Sequence, residues 1–122
     1  MESSKENLIV DLSFEFAKRI VSLHRYLQNE KREFVLSKQV LRAGTSIGAN
    51  VNEAQAAQSP KDFVAKLSVA SKEARETLYW LRLLSETGYL DANQSHVSSL
   101  LDENRSIIKI LTSIILTSQE KL

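Results

Sequence analysis

The chain has two residues of the type that most often transfers protons in enzymes, His24 and His96. A Ser-His-Asp relay would have to use one of them, and neither sits in a motif that supplies the other members. His24 lies beside Arg25 near the predicted end of a helix, where the helix dipole favours positive charge. We therefore interpret His24 as a solvated residue and not as a general base.

Acidic residues offer a second kind of chemistry, a pair of metal ions held by carboxylates. A helical bundle builds such a centre from Glu residues and from Glu-x-x-His motifs on two of its helices. The third residue after Glu53 is Ala56, and Glu73 and Glu76 are followed at that spacing by Glu76 and Tyr79. The chain also lacks cysteine, which excludes disulfides, thiolate zinc sites and thiol nucleophiles. We expect no metal, no cofactor and no enzymatic activity.

Gly44 and Gly48 are the only pair of glycines close enough for a phosphate-binding loop. They lack the Lys-Ser/Thr ending and the preceding strand that a P-loop requires. Both fall inside a predicted helix, where each costs about 1 kcal/mol relative to alanine. Glycines four residues apart share one helix face, and without Cβ atoms they let a neighbouring helix approach closely. We therefore expect Gly44 and Gly48 to mark a close helix contact.

Basic residues give the strongest chemical signal. Residues 18–42 contain seven basic and two acidic side chains, a net charge of +5, although the whole chain carries only +1. Such a cluster attracts phosphates at long range, without sequence preference and with an affinity that falls as salt rises. The candidate nucleic-acid contacts are Lys18, Arg19, Arg25, Lys31, Arg32, Lys38 and Arg42.

The same charges have a second interpretation. They would form a solvated face if Glu30 and Glu33 pair with some of them and the dipole of the first helix favours the others. The sequence supports both interpretations equally. Aromatic residues decide little, because rings at helical spacing more often fill a core or an interface than stack on bases. The aromatic residues concerned are Tyr26, Tyr79, Trp80 and Tyr89.

Four amphipathic stretches must position these residues. Apolar residues recur at three- and four-residue spacing over about 8–28, 34–57, 60–87 and 92–119, which predicts four helices. Ser59 and Pro60 are typical of a helix start, Gly88 is typical of a helix end, and Asp91 is the expected cap of the fourth helix. Short connections favour antiparallel neighbours. We predict an all-α, antiparallel up-down four-helix bundle that forms a single domain over residues 1–122.

The first and fourth helices carry more apolar residues than one bundle needs. On the first, Val10, Phe14, Ala17 and Val21 form a row beside the core row. One bundle covers about half of a helix circumference, so we expect the chain to associate with itself. The predicted core row of the fourth helix is Val97, Leu101, Ile108, Leu111 and Ile115, with Leu100, Ile107, Ile110, Ile114 and Leu116 broadening the stripe.

Length and targeting signals limit the setting of the protein. A chain of 122 residues suits one domain. Residues 1–7 are polar and lack the apolar stretch of a signal peptide, and no apolar run is long enough to span a bilayer. We expect a cytoplasmic protein that does not enter a membrane.

Residues 34–54, FVLSKQVLRAGTSIGANVNEA, with residues 72–77 and 79–81 downstream, resemble the 23S ribosomal RNA intervening-sequence protein family. The resemblance extends over essentially the whole chain from Asn7. Its most specific part is the segment of six residues from Thr45 in this helical context. The family motif is formed by Thr45, Ser46, Ile47, Gly48, Ala49, Asn50 and Glu53.

The resemblance implies a small four-helix bundle that assembles as a homopentamer. It also implies kinship with the accessory protein of diversity-generating retroelements, a basic pentamer that engages nucleic acid and a reverse transcriptase. It implies no enzymatic activity and supplies no binding residues to carry over. The net charge of +1 departs from the strongly basic retroelement relatives and argues against tight, general nucleic-acid binding.

Two functional hypotheses follow from the sequence. In the first, a non-enzymatic homo-oligomer binds RNA or DNA through basic patches repeated around a ring, so that avidity strengthens a weak patch. In the second, the oligomer is a protein-interaction scaffold or adaptor with no direct nucleic-acid role. The surplus apolar rows and the near-neutral total charge favour the second hypothesis, and the +5 segment favours the first.

Overall fold

Four α-helices account for most of residues 4–122, the part of the chain that the computed structural model describes. They are α1 (Ser4–Asn29), α2 (Leu36–Ala54), α3 (Pro60–Glu86) and α4 (Ser95–Glu120), and these described residues contain no β-strand. Helix α1 packs against α2 and α4, and α3 packs against the same two helices, whereas the backbones of the diagonal pairs lie further apart. This order around the core confirms the predicted all-α up-down four-helix bundle.

Helix α3 begins at the signal that the sequence predicts. The Ser59 hydroxyl accepts a hydrogen bond from the backbone N–H of Asp62 at 3.0 Å, and Pro60 follows as the first helical residue. The Asp62 carboxylate in turn accepts a hydrogen bond from the backbone N–H of Gln58 at 3.1 Å and pairs with the Lys66 ammonium at 3.1 Å. The Gln58 N–H first, and Lys66 second, hold the pKa of Asp62 below its usual range.

Helix α3 ends at Glu86, and Gly88 just beyond it adopts a φ of 90° in the left-handed region that glycine tolerates. The backbone N–H groups of Tyr89 and Leu90 then donate to the Leu84 carbonyl oxygen at 3.0 and 3.2 Å. These bonds satisfy a carbonyl of the last turn as the chain leaves the helix. The predicted role of Gly88 at the end of α3 is confirmed.

The prediction that Asp91 caps the fourth helix is wrong. The Asp91 carboxylate accepts a hydrogen bond from the backbone N–H of Asn93 at 2.9 Å, and its carbonyl accepts one from Gln94 at 3.0 Å. These bonds close a turn, and α4 begins only at Ser95. Aspartate favours turns and helix caps for the same reason. Its short side chain accepts hydrogen bonds from backbone N–H groups nearby in the chain.

The other helix boundaries shift by a few residues. Helix α1 begins at Ser4 instead of residue 8, so part of the polar N-terminal segment is helical. The remainder of that segment, residues 1–3, lies outside the described residues. Helix α2 covers Leu36–Ala54 instead of 34–57, which makes it the shortest of the four.

The hydrophobic core contains residues of all four helices. Phe16 of α1 and Ile47 of α2 are fully buried, and Leu67 of α3 is 1% exposed. Each of these belongs to an apolar row that the sequence predicts to face inward. Burying a side chain of this size stabilises the fold by about 1.5–3 kcal/mol. The helices are therefore positioned mainly by their apolar stripes.

Helix α4 buries a wider stripe than its predicted core row. Val97, Leu101 and Leu111 of that row are buried as predicted, whereas Ile108 and Ile115 are half-buried. Leu100, Ile107 and Ile114, predicted to broaden the stripe, are buried as well. The bundle therefore covers most of the apolar stripe of α4, and Leu116 at its edge is 57% exposed. The expected self-association of the chain stays a prediction.

The glycines of α2 lie where α1 approaches closely. A Cβ atom on Gly44 would lie 2.8 Å from Cγ1 and from Cγ2 of Ile20, which is too close for van der Waals contact. A Cβ atom on Gly48 would lie 3.1 Å from the backbone carbonyl oxygen of Ser13. Ser13 is itself buried, so small residues on both helices allow this approach.

Candidate nucleic-acid interface

The loop between α1 and α2, residues 30–35, is tied to the end of α1. The backbone N–H of Glu30 donates to the Tyr26 carbonyl at 2.8 Å, and the backbone N–H of Glu33 donates to the Leu27 carbonyl at 2.9 Å. Between these bonds Arg32 adopts a φ of 54°, a conformation that costs energy for residues other than Gly and Asn. The loop therefore has a defined path with Arg32 at its strained position.

Glu33 connects this loop to α2. Its Oε1 atom accepts a hydrogen bond from the backbone N–H of Ser37 at 2.8 Å, and its Oε2 atom accepts one from Val35 at 3.3 Å. The Ser37 hydroxyl donates back to the Glu33 carbonyl oxygen at 2.8 Å. The carboxylate thus faces the N-terminus of α2, where the helix dipole favours negative charge. Within residues 4–122 it forms no ion pair with a basic side chain.

His24 braces the same region from α1. Its Nδ1–H donates to the carbonyl oxygen of Ser37 at 3.1 Å, and the side chain is half-buried. The interpretation of His24 as a solvated residue is therefore wrong. It links α1 to the first turn of α2, and this link adds to the rigidity of the loop between them.

Four of the seven predicted basic contacts lie around this loop, and we call them the basic cluster: Arg25, Lys31, Arg32 and Lys38. Arg25 is near the end of α1, Lys31 and Arg32 are in the loop, and Lys38 is in the first turn of α2. All four are exposed, and none forms an ion pair in the described part of the chain. Their charges are therefore available to an anionic ligand at one end of the bundle.

Arg19 is used inside the protein. Its guanidinium donates to Glu103 Oε2 at 3.0 Å, to the Ser99 hydroxyl at 3.3 Å and to the His96 carbonyl oxygen at 2.9 Å. These contacts join α1 to α4. Arg19 is consequently a bridge between helices and a poor candidate for phosphate binding.

Arg42 forms a comparable bridge from α2 to α3. Its guanidinium lies 3.1 Å from Glu73 Oε2 and also contacts the Glu76 carboxylate. The Glu73 side chain is only 10% exposed, and Glu76 also accepts a hydrogen bond from Trp80 Nε1 at 3.0 Å. The charge of Arg42 is therefore balanced within the bundle.

Lys18 also lies apart from the basic cluster. Its ammonium pairs with Glu15 one turn earlier at 2.8 Å and lies 5.6 Å from the centre of the Phe14 ring. Both Lys18 and Glu15 are well exposed, so this pair contributes little to stability. The structure thus brings four of the seven predicted basic residues together and leaves Lys18, Arg19 and Arg42 in contacts of their own.

The residues that carry the family resemblance mostly bond within α2. The hydroxyls of Thr45 and Ser46 donate to the carbonyls of Leu41 and Arg42 at 2.7 and 2.6 Å, and the Asn50 amide donates to the Ser46 carbonyl at 2.8 Å. Of the remaining motif residues, Ile47 is buried, Gly48 is half-buried, and Ala49 and Glu53 are exposed. The motif therefore combines helix packing with an open surface.

That surface is one wall of a groove between α1 and α2, which we call the Phe14 groove. It encloses about 620 Å³, and Phe14, 65% exposed, is its most prominent apolar side chain. Asp11 and Glu15 lie on its rim, and Lys18 pairs with Glu15 beside the Phe14 ring, so these three residues leave the rim with a net charge of −1. The other lining residues are Val10, Ala17, Thr45, Gly48, Ala49 and Asn52.

A second groove of about 330 Å³ lies between α1 and α4. Leu23, Leu90 and Leu100 form part of its apolar floor, and Tyr26, 43% exposed, lies at its edge. Arg19 also borders it, but with its guanidinium occupied by α4. The groove is large enough for one or two apolar side chains of a partner.

Phe34 lies in this region but is not among the predicted contacts. It follows the charged segment directly and is 47% exposed, and the Arg32 guanidinium lies 5.8 Å from the centre of its ring. The signal in the sequence is an aromatic residue between a charged loop and a helix start. Helical spacing does not reveal it, because Phe34 precedes the first turn of α2.

Within residues 4–122, no group of three or more His, Asp or Glu side chains has the arrangement needed to hold a metal ion. None of the helices in this part of the chain combines the length and the apolar character required to cross a lipid bilayer.

Comparison with known proteins places this geometry in a family. Residues 5–113 match the family model described as 23S rRNA-intervening sequence protein. Among solved structures, the chain is similar to a protein with unknown function from the S23 ribosomal protein family of Bacteroides thetaiotaomicron VPI-5482, with 52% sequence identity and a TM-score of 0.86. The similarity covers 91% of this chain and 97% of that one. A search of curated proteins finds no match.

Proposed function

The chain belongs to the 23S rRNA-intervening sequence protein family, and on that premise we propose that it is a non-enzymatic, homo-oligomeric bundle that binds nucleic acid through the basic cluster. The proposal rests on one observation. Arg25, Lys31, Arg32 and Lys38 are exposed at the same end of the bundle without ion-pair partners among residues 4–122.

The charge balance at this end favours an anion. The cluster brings four positive charges, and the acidic residues of the same loop, Glu30 and Glu33, bring two negative ones. The Glu33 carboxylate is bonded to backbone N–H groups of α2, so it does not neutralise a particular cation. Each basic side chain that contacts a phosphate releases condensed counterions from the nucleic acid, so the affinity falls as salt rises. With up to four contacts to a single strand, we expect a log–log salt slope of about −3 per copy.

One copy of so small a cluster binds weakly, and association of several copies would strengthen it by avidity. The Phe14 groove is the surface that we assign to this association. A ring that is 65% exposed, beside Val10 and Ala17, leaves apolar area in water that a second subunit would cover. The family resemblance favours a homopentamer as the assembled form.

A second copy of the chain offers a surface that complements the Phe14 groove in charge. Lys72, Arg75 and Tyr79 are exposed on one face of α3. Two cations and an aromatic ring there match the negative rim formed by Asp11 and Glu15 and the apolar floor below it. Because the groove and the α3 face are different surfaces, their contact is heterologous, and such a contact gives a ring when the rotation between successive subunits closes.

Nucleic-acid binding is tested by titrating a labelled single-stranded RNA at about 50 and 200 mM salt, a range over which phosphate contacts lose much of their affinity. The variant Lys31→Glu, Arg32→Glu, Lys38→Glu should reduce the affinity at least tenfold at the lower salt, since it removes three contacts and adds repulsion. The matched control is Lys61→Glu, Lys109→Glu, Lys121→Glu. These lysines are exposed, unpaired in the described chain and remote from the α1–α2 loop, and the control changes the net charge equally.

The control separates a local site from general charge. If both triple variants weaken binding equally, the net charge and not the basic cluster accounts for it. If the cluster variant binds as tightly as wild type, the proposed interface is wrong.

Association is tested by size-exclusion chromatography with light scattering. We expect wild type to form a multimer and Phe14→Asp to shift it towards the monomer, because a carboxylate would be buried in the apolar contact. Leu116→Asp, at an exposed position of α4, is the matched control and should leave the molar mass unchanged. A monomeric wild type would contradict the proposal.

The electrostatic match has its own test. Two double variants are compared. The first carries Asp11→Lys and Glu15→Lys, the second carries Lys72→Glu and Arg75→Glu, and each alone should weaken association. The chain that carries all four changes should recover it, because the signs are then reversed on both surfaces. Failure to recover would mean that another surface meets the Phe14 groove.

A protein-interaction scaffold is the second candidate function, and the groove between α1 and α4 favours it. The groove has an apolar floor beside the basic cluster and would accept apolar side chains of a partner. Capture from a native lysate distinguishes the candidates. A partner that stays bound after nuclease treatment, and that also binds the Lys31→Glu, Arg32→Glu, Lys38→Glu variant, would support the scaffold over nucleic-acid binding.

A further inference from the structure

Phe34 places an exposed aromatic ring beside the cations of the basic cluster. The ring is 47% exposed, and the Arg32 guanidinium lies 5.8 Å from its centre. We infer that this end of the bundle recognises single-stranded nucleic acid, with an unpaired base stacked on Phe34 and the flanking phosphates bound by the basic cluster. This inference rests on the nucleic-acid binding proposed above and specifies the class of strand.

The ring of Phe34 has no role in the core. Phe16 is fully buried, and Phe63 is packed against the core cluster, but Phe34 is neither in that cluster nor among the side chains packed against it. Val35, the next residue, is 71% exposed. Nearly half of the surface of Phe34 is therefore accessible to a ligand, and the Arg32 guanidinium lies over its ring.

The backbone that carries Phe34 is held on both sides. The backbone N–H of the preceding residue, Glu33, donates to the Leu27 carbonyl oxygen, and the Glu33 carbonyl oxygen accepts a hydrogen bond from the Ser37 hydroxyl. The Glu33 carboxylate also accepts a hydrogen bond from the backbone N–H of Val35. His24 adds a bond from α1 to the carbonyl of Ser37. A ring on a braced loop loses little conformational freedom when a base stacks on it, which favours binding.

The chemistry of the cluster suits a single strand better than a duplex. In a duplex the bases stack on one another and their faces are closed to a protein ring, whereas a single strand exposes them. Stacking on an aromatic ring tolerates every base because each has a π-face. Arg32 can add a cation–π contact at the same point. Tyr26, 43% exposed in the last turn of α1, is a second exposed ring near this end.

The test compares three labelled probes of about twelve nucleotides, within the length that one such module covers. They are an oligothymidine strand, an abasic strand with the same number of phosphates, and a duplex. We expect wild type to bind the thymidine strand about tenfold more tightly than the abasic one, the size of one stacking contact. Phe34→Leu should reduce this ratio to about one, and Phe34→Tyr should preserve it, because only the tyrosine keeps an aromatic face.

Leu116→Ala is the matched control. Leu116 is 57% exposed near the C-terminal end of α4, away from the α1–α2 loop and outside the two surfaces assigned to association, and its loss should leave the ratio unchanged. The molar mass of Phe34→Leu should equal that of wild type. A change in molar mass would mean that the ring contacts another copy and would overturn the inference.

The other outcomes separate this inference from the proposed function. Equal binding of the thymidine and abasic strands, or a ratio that survives Phe34→Leu, would overturn stacking on Phe34. If the Lys31→Glu, Arg32→Glu, Lys38→Glu variant still loses affinity in that case, nucleic-acid binding by the cluster stands. If no probe binds at low salt, both fail.

Discussion

A Cβ atom at Gly48 would lie 3.1 Å from the backbone carbonyl oxygen of Ser13, so α1 and α2 meet there with no room for a side chain. A backbone atom cannot turn aside as the end of a flexible side chain can. One turn earlier on α2, a Cβ atom at Gly44 would meet two branch carbons of Ile20 at 2.8 Å. These two contacts set the spacing of the helices that present both the basic cluster and the Phe14 groove.

Gly44→Ala should therefore destabilise the protein. Overpacking against Ile20 costs about 1–3 kcal/mol, and the better helix propensity of alanine returns about 1 kcal/mol. We expect a net loss in the free energy of unfolding, measured by urea denaturation. Ala65→Gly, at an exposed position of α3 that lines neither groove, measures the propensity term alone. A Gly44→Ala protein more stable than wild type would show that the contact with Ile20 is loose.

The bridge between Arg42 and Glu73 gives a second prediction. Arg42→Ala leaves Glu73, whose side chain is 10% exposed, without its cation. Because Arg42 itself is half-exposed, we expect a loss of about 1–3 kcal/mol, below that of a fully buried pair. Arg25→Ala, at an unpaired exposed position, should change stability by no more than about 0.5 kcal/mol. Adding Glu73→Gln to Arg42→Ala should recover part of the loss, and the absence of recovery would contradict the role of the pair.

Asn104 is the buried polar residue with the weakest support. Its Nδ2 donates to the Ala74 carbonyl at 2.9 Å, but its Oδ1 is buried without a hydrogen-bond partner. An unpaired buried oxygen costs free energy, so Asn104→Leu should raise the free energy of unfolding by about 1 kcal/mol. Asn104→Ala is the comparison, because it removes the same oxygen but leaves a cavity. A leucine variant less stable than the alanine variant would indicate that the site cannot accept the larger side chain.

Much of this fold could be predicted from sequence, and the exceptions have physical causes. Apolar periodicity and the Ser59-Pro60 start define the helices because these signals are local. Helix α4 carries apolar residues at 107, 108, 110, 111, 114 and 115, which satisfy two neighbouring rows equally well. Asn104 is also buried, between Leu101 and Ile107 in the core row. A polar residue at this position interrupts the apolar pattern that would have identified the row.

The site was less predictable because charge pairing is not local. Arg19 and Arg42 look like members of one basic segment, but their acidic partners lie 84 and 31 residues away along the chain. No spacing rule connects such residues before the helices are packed. Arg25, Lys31 and Lys38, which form no ion pair within residues 4–122, are distinguished from Arg19 and Arg42 only by the folded structure.

The cap of α3 predicts a dependence of stability on pH. The Gln58 N–H, followed by Lys66, lowers the pKa of Asp62 in the folded state below the value of 3.8 expected for a free side chain. The ionised Asp62 side chain therefore stabilises the fold at pH values above 3.8. This stabilisation is lost as the pH falls through the lower pKa that Asp62 has in the folded state. The difference in unfolding free energy between wild type and Asp62→Asn should shrink over that range. A difference that stays constant through acid would show that Asp62 is not responsible.

Arg32 separates stability from binding at a single position. Its φ of 54° lies in the left-handed region, where Asn is tolerated better than Arg. Arg32→Asn should leave the free energy of unfolding unchanged or raise it by about 0.5 kcal/mol, while the loss of one phosphate contact should reduce the log–log salt slope by about 0.7. Arg32→Lys keeps the charge and should retain the wild-type slope without a gain in stability. If Arg32→Asn lowers stability, the strain is compensated by contacts in the loop; if the slope is unchanged, Arg32 does not meet a phosphate.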